Sequence, residues 1–206
     1  MIIKFLKAAS AFVVLTICGM ANAGLITTTF ASNNGDGGNM FDLVIAGSDI
    51  TVTGMDLNIS GNTNVELYTR IGGYNGFQDD AAAWTLMRTG SVASNGTDVA
   101  SLFDFTDFTL ASSTTYGIYI TSRGGNRFNY TEGGNTYVNS DLTLIAGIGK
   151  RYVSQTDFTG ANFSPRTWNG TIRYDTITAD VPEPSTLAIF ALGLMGLASR
   201  RFKKQS

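Results

Sequence analysis

Between residues 24 and 180 no segment sustains a helical period, and short runs rich in β-branched and aromatic residues recur between clusters of Gly, Asn, Asp and Ser. That pattern restricts the chain to sheets. Stiff branched side chains and flat rings pack well on a pleated surface, and glycine pairs such as Gly37-Gly38, Gly72-Gly73, Gly124-Gly125 and Gly133-Gly134 supply positive φ for tight connections. Candidate strands fall at 25–31, 40–46, 50–60, 65–70, 84–89, 108–111, 116–122, 136–146 and 168–177. Short strands at this spacing predict an all-β fold, an antiparallel β-sandwich or jelly-roll-like domain.

The third candidate carries a phase change. Ile50 and Val52 alternate onto one face, and after Gly54 the apolar set becomes Met55, Leu57 and Ile59. A one-residue slip turns every side chain over, so an extra residue near the glycine, a β-bulge, is needed to keep both sets on one face. In 116–122, Tyr116, Ile118 and Ile120 alternate with Gly117, Tyr119 and Thr121, which leaves Tyr119 as a rim residue or part of a second contact.

Both ends of the chain read as processing segments. Residues 1–23 have a secretory layout: Lys4 and Lys7, an apolar run from 8 to 20, then the small-residue site at Ala21 and Ala23. Cleavage by signal peptidase after Ala23 would start the mature chain at Gly24 and remove Cys18, the sole cysteine. A lipoprotein site at Cys18 is disfavoured because Ile17 is not small. At the other end Pro182, Glu183 and Pro184 precede an uncharged stretch at 185–199, then Arg200, Arg201, Phe202, Lys203 and Lys204. The stretch is shorter than the roughly 20 residues of a full crossing, but snorkelling cations make a short transmembrane helix with a basic stop tolerable. A buried C-terminal helix is the alternative, opposed by four cations within five residues.

The run Val181-Pro182-Glu183-Pro184-Ser185-Thr186-Leu187, with Gly193, Gly196 and the arginine pair, resembles the PEP-CTERM sorting signal of Gram-negative, biofilm-forming bacteria. The resemblance implies recognition by an exosortase, a membrane-embedded cysteine protease, with cleavage near the motif. It also implies a transient inner-membrane anchor, then release or transfer to the cell surface, and an association with exopolysaccharide. The expected organisation is a signal peptide at 1–23, a sandwich ectodomain at 24–180 and the sorting signal at 181–206.

Removing both ends leaves 157 residues, enough to bury about 70% of the extended surface around one core. This segment holds eight Lys and Arg against fifteen Asp and Glu, a net charge of −7, so nucleic acid is not an expected partner. It has no histidine and no cysteine, which removes Ser-His and Cys-His nucleophiles and His/Cys metal sites. Paired-carboxylate chemistry remains open, with Asp79-Asp80 in the turn-like stretch 72–83 and the glutamates Glu66 and Glu132, yet no spacing singles out a catalytic pair. No catalytic residue is assigned.

Binding has more to work with. Tyr74 and Phe77 lie between glycines in a stretch that also holds Tyr68, Arg70 and Asn75, and exposed rings can stack on sugars; Phe128, Tyr130 and Tyr152 are further candidates. Trp84 and Trp168 are expected in the core, the latter after a turn at 164–170 that contains Pro165. The segment 33–39 with Asp42 is oxygen-rich and places a weak calcium site near Asp36, but its spacing is not that of an EF-hand and a plain Asx/Gly turn is favoured. The expected function is a non-catalytic surface protein, structural or adhesive in a polysaccharide matrix. The alternatives are a carbohydrate-binding module or a carboxylate-dependent carbohydrate-active enzyme.

Overall fold

The alternating apolar positions are organised by thirteen antiparallel strands in the computed structural model, which describes residues 22–125, 128–153 and 158–177. They are β1 Asn22–Thr27, β2 Asn34–Asp36, β3 Gly38–Ile45, β4 Asp49–Asn58, β5 Thr63–Ile71, β6 Thr85–Val92, β7 Ala100–Leu110, β8 Thr115–Ser122, β9 Phe128–Glu132, β10 Thr136–Val138, β11 Leu142–Lys150, β12 Asn162–Trp168 and β13 Gly170–Ile177. One 3-10 turn, Ala81–Ala83, is the helical content among the described residues. Ala21, Pro182, Glu183, Pro184, Arg200, Arg201, Lys203 and Lys204 lie outside them, as do the expected signal and membrane helices.

The pairings are nested. β5 pairs with β6, β4 with β7, β3 with β8 and β1 with β13, as in a long hairpin folded over on itself, which is the order of a jelly roll. One sheet runs β1-β13-β4-β7, and the other runs β2-β9-β12-β11-β3-β8-β5-β6. The strands inserted between β8 and β13 extend the larger sheet beyond β3. There β10 and β12 take successive parts of the same edge of β11, and an isolated bridge from Phe128 to Ile59 returns toward the end of β4.

The main core fills the space between the sheets. Ile50, Val52, Met55, Leu57, Phe103, Ile172 and Tyr174 from the smaller sheet meet Phe41, Leu43, Val65, Leu67, Ile118, Ile120, Leu144 and Trp168 from the larger. The expected bulge lies in β4 at Thr53. Val52 pairs with Tyr174 and Gly54 with Arg173, so Thr53 has no counterpart on β13, and Ile50, Val52, Met55, Leu57 and Ile59 are all buried. The register with β7 shifts at the same place.

Several strand boundaries differ from the expectation. The run 136–146 is two strands, because Asn139 forms a turn: its Oδ1 accepts from the Asp141 and Leu142 amides at 3.0 and 2.9 Å. The run 168–177 is also divided, at Asn169, where the chain leaves the larger sheet for the smaller. Thr28 holds that crossing: its hydroxyl donates to the Trp168 carbonyl at 2.7 Å and accepts from the Gly170 amide at 2.9 Å. A side chain at Gly170 would start 2.2 Å from the Trp168 ring, so only glycine fits. The turn expected at 164–170 is instead largely strand β12, and the segment 33–39 contributes the edge strand β2. The first strand starts at Asn22 rather than Leu25. Cleavage after Ala23 would leave it beginning at Gly24, opposite Tyr174.

Trp168 is fully buried and stacks on Phe41 with ring centroids 5.0 Å apart. Trp168→Ala is expected to destabilise the domain by about 3–5 kcal/mol, measured as a lower urea midpoint with an unchanged slope.

Candidate functional site

Tyr119 faces away from the main core, yet it is fully buried. Along the outer face of the larger sheet the register aligns Ile148, Met40, Tyr119 and Tyr68, one residue from each of four neighbouring strands. Trp84 and Phe158 close over this row to form a second apolar cluster. Tyr119 meets Phe158 edge-on with centroids 5.0 Å apart, and Tyr68 stacks on Tyr119 at 5.9 Å. The connection between β5 and β6 thus lies against the sheet. A Cβ on Gly117 would fall 2.8 Å from the backbone of Gly73 and Tyr74, so glycine at that position lets the loop backbone rest on β8.

Four contacts fix this loop. The Tyr74 amide donates to Asp42 Oδ1 at 2.8 Å, the Arg70 guanidinium donates to the Gly73 carbonyl, and Trp84 Nε1 donates to the Phe77 carbonyl at 2.9 Å. The fourth is an ion pair from Asp79 to Lys150. Tyr74 is half-buried, and burial pushes its phenol up; burial likewise raises the Asp42 carboxyl, against the lowering effects of the Tyr74 amide and Arg70. Phe77 is 38% exposed, with the Arg70 guanidinium carbon 3.6 Å from its ring centre. A rigid aromatic ring with a cation on one face can stack a sugar ring on the other.

The other aromatic candidates lie elsewhere. Phe128 and Tyr130 are buried in the sandwich, and Tyr152 is half-buried beside Gly125. Trp84 and Trp168 are core residues, as expected, although Trp84 belongs to the outer cluster. The Tyr68 hydroxyl donates to Glu66 Oε2 at 2.6 Å, and burial together with that carboxylate pushes the phenol up to about 12.

Each acid considered for catalysis has a structural partner. Lys150 is fully buried while Asp79 is 65% exposed, and Lys150 Nζ also donates to Asn162 Oδ1 at 2.9 Å. The hydrogen bond from Lys150 holds the Asp79 carboxyl below its ordinary range, the reverse of what a general acid needs. Asp80 accepts from the Ala82 amide at 3.1 Å and caps the 3-10 turn. Glu66 pairs with Arg123 at 2.5 Å, and Glu132 with Arg166 at 3.3 Å. Near the proposed calcium position, Asp36 Oδ1 accepts from the Gly37 and Tyr152 amides at 2.9 and 3.0 Å, with Arg151 3.8 Å from its other oxygen. Asp42 is engaged instead with the Tyr74 loop. Among the described residues no group of three or more His, Cys, Asp or Glu gathers to hold a metal.

Residues 180–204 match the PEP-CTERM protein-sorting motif. The motif is a signal for export and cell-surface sorting in Gram-negative bacteria, with processing by an exosortase. Among the described residues no helix is long and apolar enough to cross a membrane, and the expected span at 185–199 lies outside them. No curated protein matches the chain. Among solved structures, the infectious bursal disease virus VP2 subviral particle is similar at 14% identity over 86% of this chain, with a TM-score of 0.25. The chain spans half the length of that viral protein.

Because Lys150 is buried, removing its partner strands a charge, whereas removing the charge does not. Asp79→Ala should cost about 1–2 kcal/mol at pH 7 after allowing for screening at the exposed carboxylate, and Lys150→Met less. The Asp79 pKa is depressed, so the pair stabilises the fold above the ordinary carboxylate pKa and is lost as pH falls through the lower folded value. Urea titrations below pH 4 should accordingly show a shallower acid loss in Asp79→Asn than in the wild type.

Proposed function

We propose that this chain, which carries a PEP-CTERM protein-sorting motif at 180–204, is a non-catalytic exported protein that serves as a structural or adhesive component of the extracellular polysaccharide matrix. The motif is the single observation that carries the reading. It fits an acidic sandwich, without cysteine in residues 24–180, whose Glu66, Asp79 and Glu132 pair with structural cations. In this reading signal peptidase removes residues 1–23, the tail anchors the chain in the inner membrane, and an exosortase then cuts near Pro184. Mass spectrometry of the protein from surface and medium fractions should find Gly24 at the N-terminus and a C-terminus close to Pro184. Intact, membrane-bound Ser206 in a strain that has an exosortase would refute the model.

A second reading, a carbohydrate-binding module, is favoured by one observation: the half-exposed Phe77 ring, stacked on Arg70 in a loop pinned at four points. A glycan array probed with the wild type and a Tyr74→Ala, Phe77→Ala double variant separates the two readings. Binding lost in the variant supports the module at this loop, and unchanged binding removes the loop from consideration.

A further inference from the structure

Among the described residues Lys150 is the one lysine or arginine that is fully buried. It ends β11, two residues after Ile148 of the outer apolar cluster, so its side chain leaves the same face of the larger sheet. The neighbouring strand sets a second group beside it. Gly147 pairs with Arg166 but Gly149 with Phe163, so one residue of β11 stands against two of β12, Ser164 and Pro165. That bulge puts Asn162, rather than Phe163, opposite Lys150. The β5–β6 loop brings the third group, Asp79.

The three side chains touch one another. Lys150 Nζ donates to Asn162 Oδ1 at 2.9 Å and to Asp79 Oδ1, and Asn162 Nδ2 lies 3.3 Å from both Asp79 oxygens. An amine, a carboxamide and a carboxylate are therefore in mutual contact. Asp79 and Asn162 are exposed, while the ammonium that they cap is not. A fully buried ammonium is costly to keep even when paired, and an ion pair alone has no need of the carboxamide.

We propose that Lys150 and Asn162 become joined by an isopeptide bond, with Asp79 carrying the protons. The ammonium gives one proton to Asp79, and the freed amine attacks Asn162 Cγ. Asp79 passes that proton to Nδ2 and takes a second from Nζ. The Nζ–Cγ bond forms, the Cγ–Nδ2 bond breaks, and ammonia departs with the second proton as ammonium. Asp79 ends ionised, as it began, and the step needs no oxidant or cofactor.

The depressed Asp79 pKa makes the first proton transfer unfavourable and the reaction slow, which a bond made once per molecule tolerates. Fixed contact between the reacting groups works the other way, because no entropy is lost in bringing them together. The ion pair is the reactant state. In the product the nitrogen is neutral, so the cost of a buried charge disappears, and exposure of Asn162 lets ammonia escape to solvent. The bond ties the end of β11 to the start of β12 in a segment, 24–180, that has no cysteine for a disulfide.

The test is peptide mapping by mass spectrometry of the folded full chain, held for a day at neutral pH, then denatured and cut with trypsin. A linked Lys150 resists trypsin, so residues 128–151 and 152–166 should appear as one branched peptide, lighter than their sum by one ammonia. Lys150→Arg and Asn162→Ala should each give linear peptides of full mass. Asp79→Asn should link about a hundredfold more slowly. The proposal is overturned if the wild type gives only the linear peptides 128–150 and 152–166, or if Asp79→Asn links at the wild-type rate. It is equally overturned if Lys150 is joined with loss of water to residues 71–88, which would make Asp79 the acyl partner.

Discussion

The crossing at Trp168, Asn169 and Gly170 is the constraint on which the rest of the sandwich depends. On one side of it the chain belongs to the larger sheet, where the Trp168 ring stacks on Phe41; on the other, β13 enters the smaller sheet between β1 and β4. The Thr28 hydroxyl bonds to both sides of the crossing and so ties β1 to the same point. Without it β13 could not reach its place, and β1 would lose β13, its one strand partner among the described residues.

The two sheets treat their outer faces differently. The smaller sheet leaves Leu25 and Leu102 more than half exposed, and carries an Arg173 to Asp56 ion pair at 2.7 Å. The larger sheet covers part of its outer face with a second cluster under the β5–β6 loop. That cover explains why residues suited to binding or catalysis are largely occupied. Asp79 anchors the loop to buried Lys150, Asp42 holds the Tyr74 amide, and Phe77 is the most exposed of the aromatic candidates.

Alternation made much of the fold legible. Ile118 and Ile120 sit in the core, and the phase change in β4 is a bulge at Thr53. Where local pattern and neighbour pairing disagreed, the reading fell short. The first half of β7 holds Leu102, Phe103 and Phe105 between acids, and only its partner β4 decides that Phe103 points inward and Leu102 outward. Strands β2, β9 and β12 mix polar residues with few apolar ones, and each is placed by the edge it pairs with. Asn139 and Asn169 break runs that look continuous: Asn139 through a turn closed by the Asp141 and Leu142 amides, and Asn169 where Thr28, remote in sequence, spans the crossing. The candidate loop was legible as a cluster of rings and turns, but the bonds that pin it, from the Tyr74 amide to Asp42 and from Lys150 to Asp79, were not.

By itself the sequence determined the route and the class of fold. A sorting signal is a short contiguous segment, and a strand preference is a property of neighbouring residues, so both are written locally in Pro182, Glu183, Pro184 and in the alternating runs of 24–180. The lack of histidine and cysteine in that segment likewise needs no structure to be seen. Tertiary structure alone decided what each polar side chain does. Whether Asp79 is tied to a partner and whether Tyr119 is rim or core depend on contacts between residues far apart in sequence. Burial and electrostatic pairing are set by such contacts, and no local pattern encodes them.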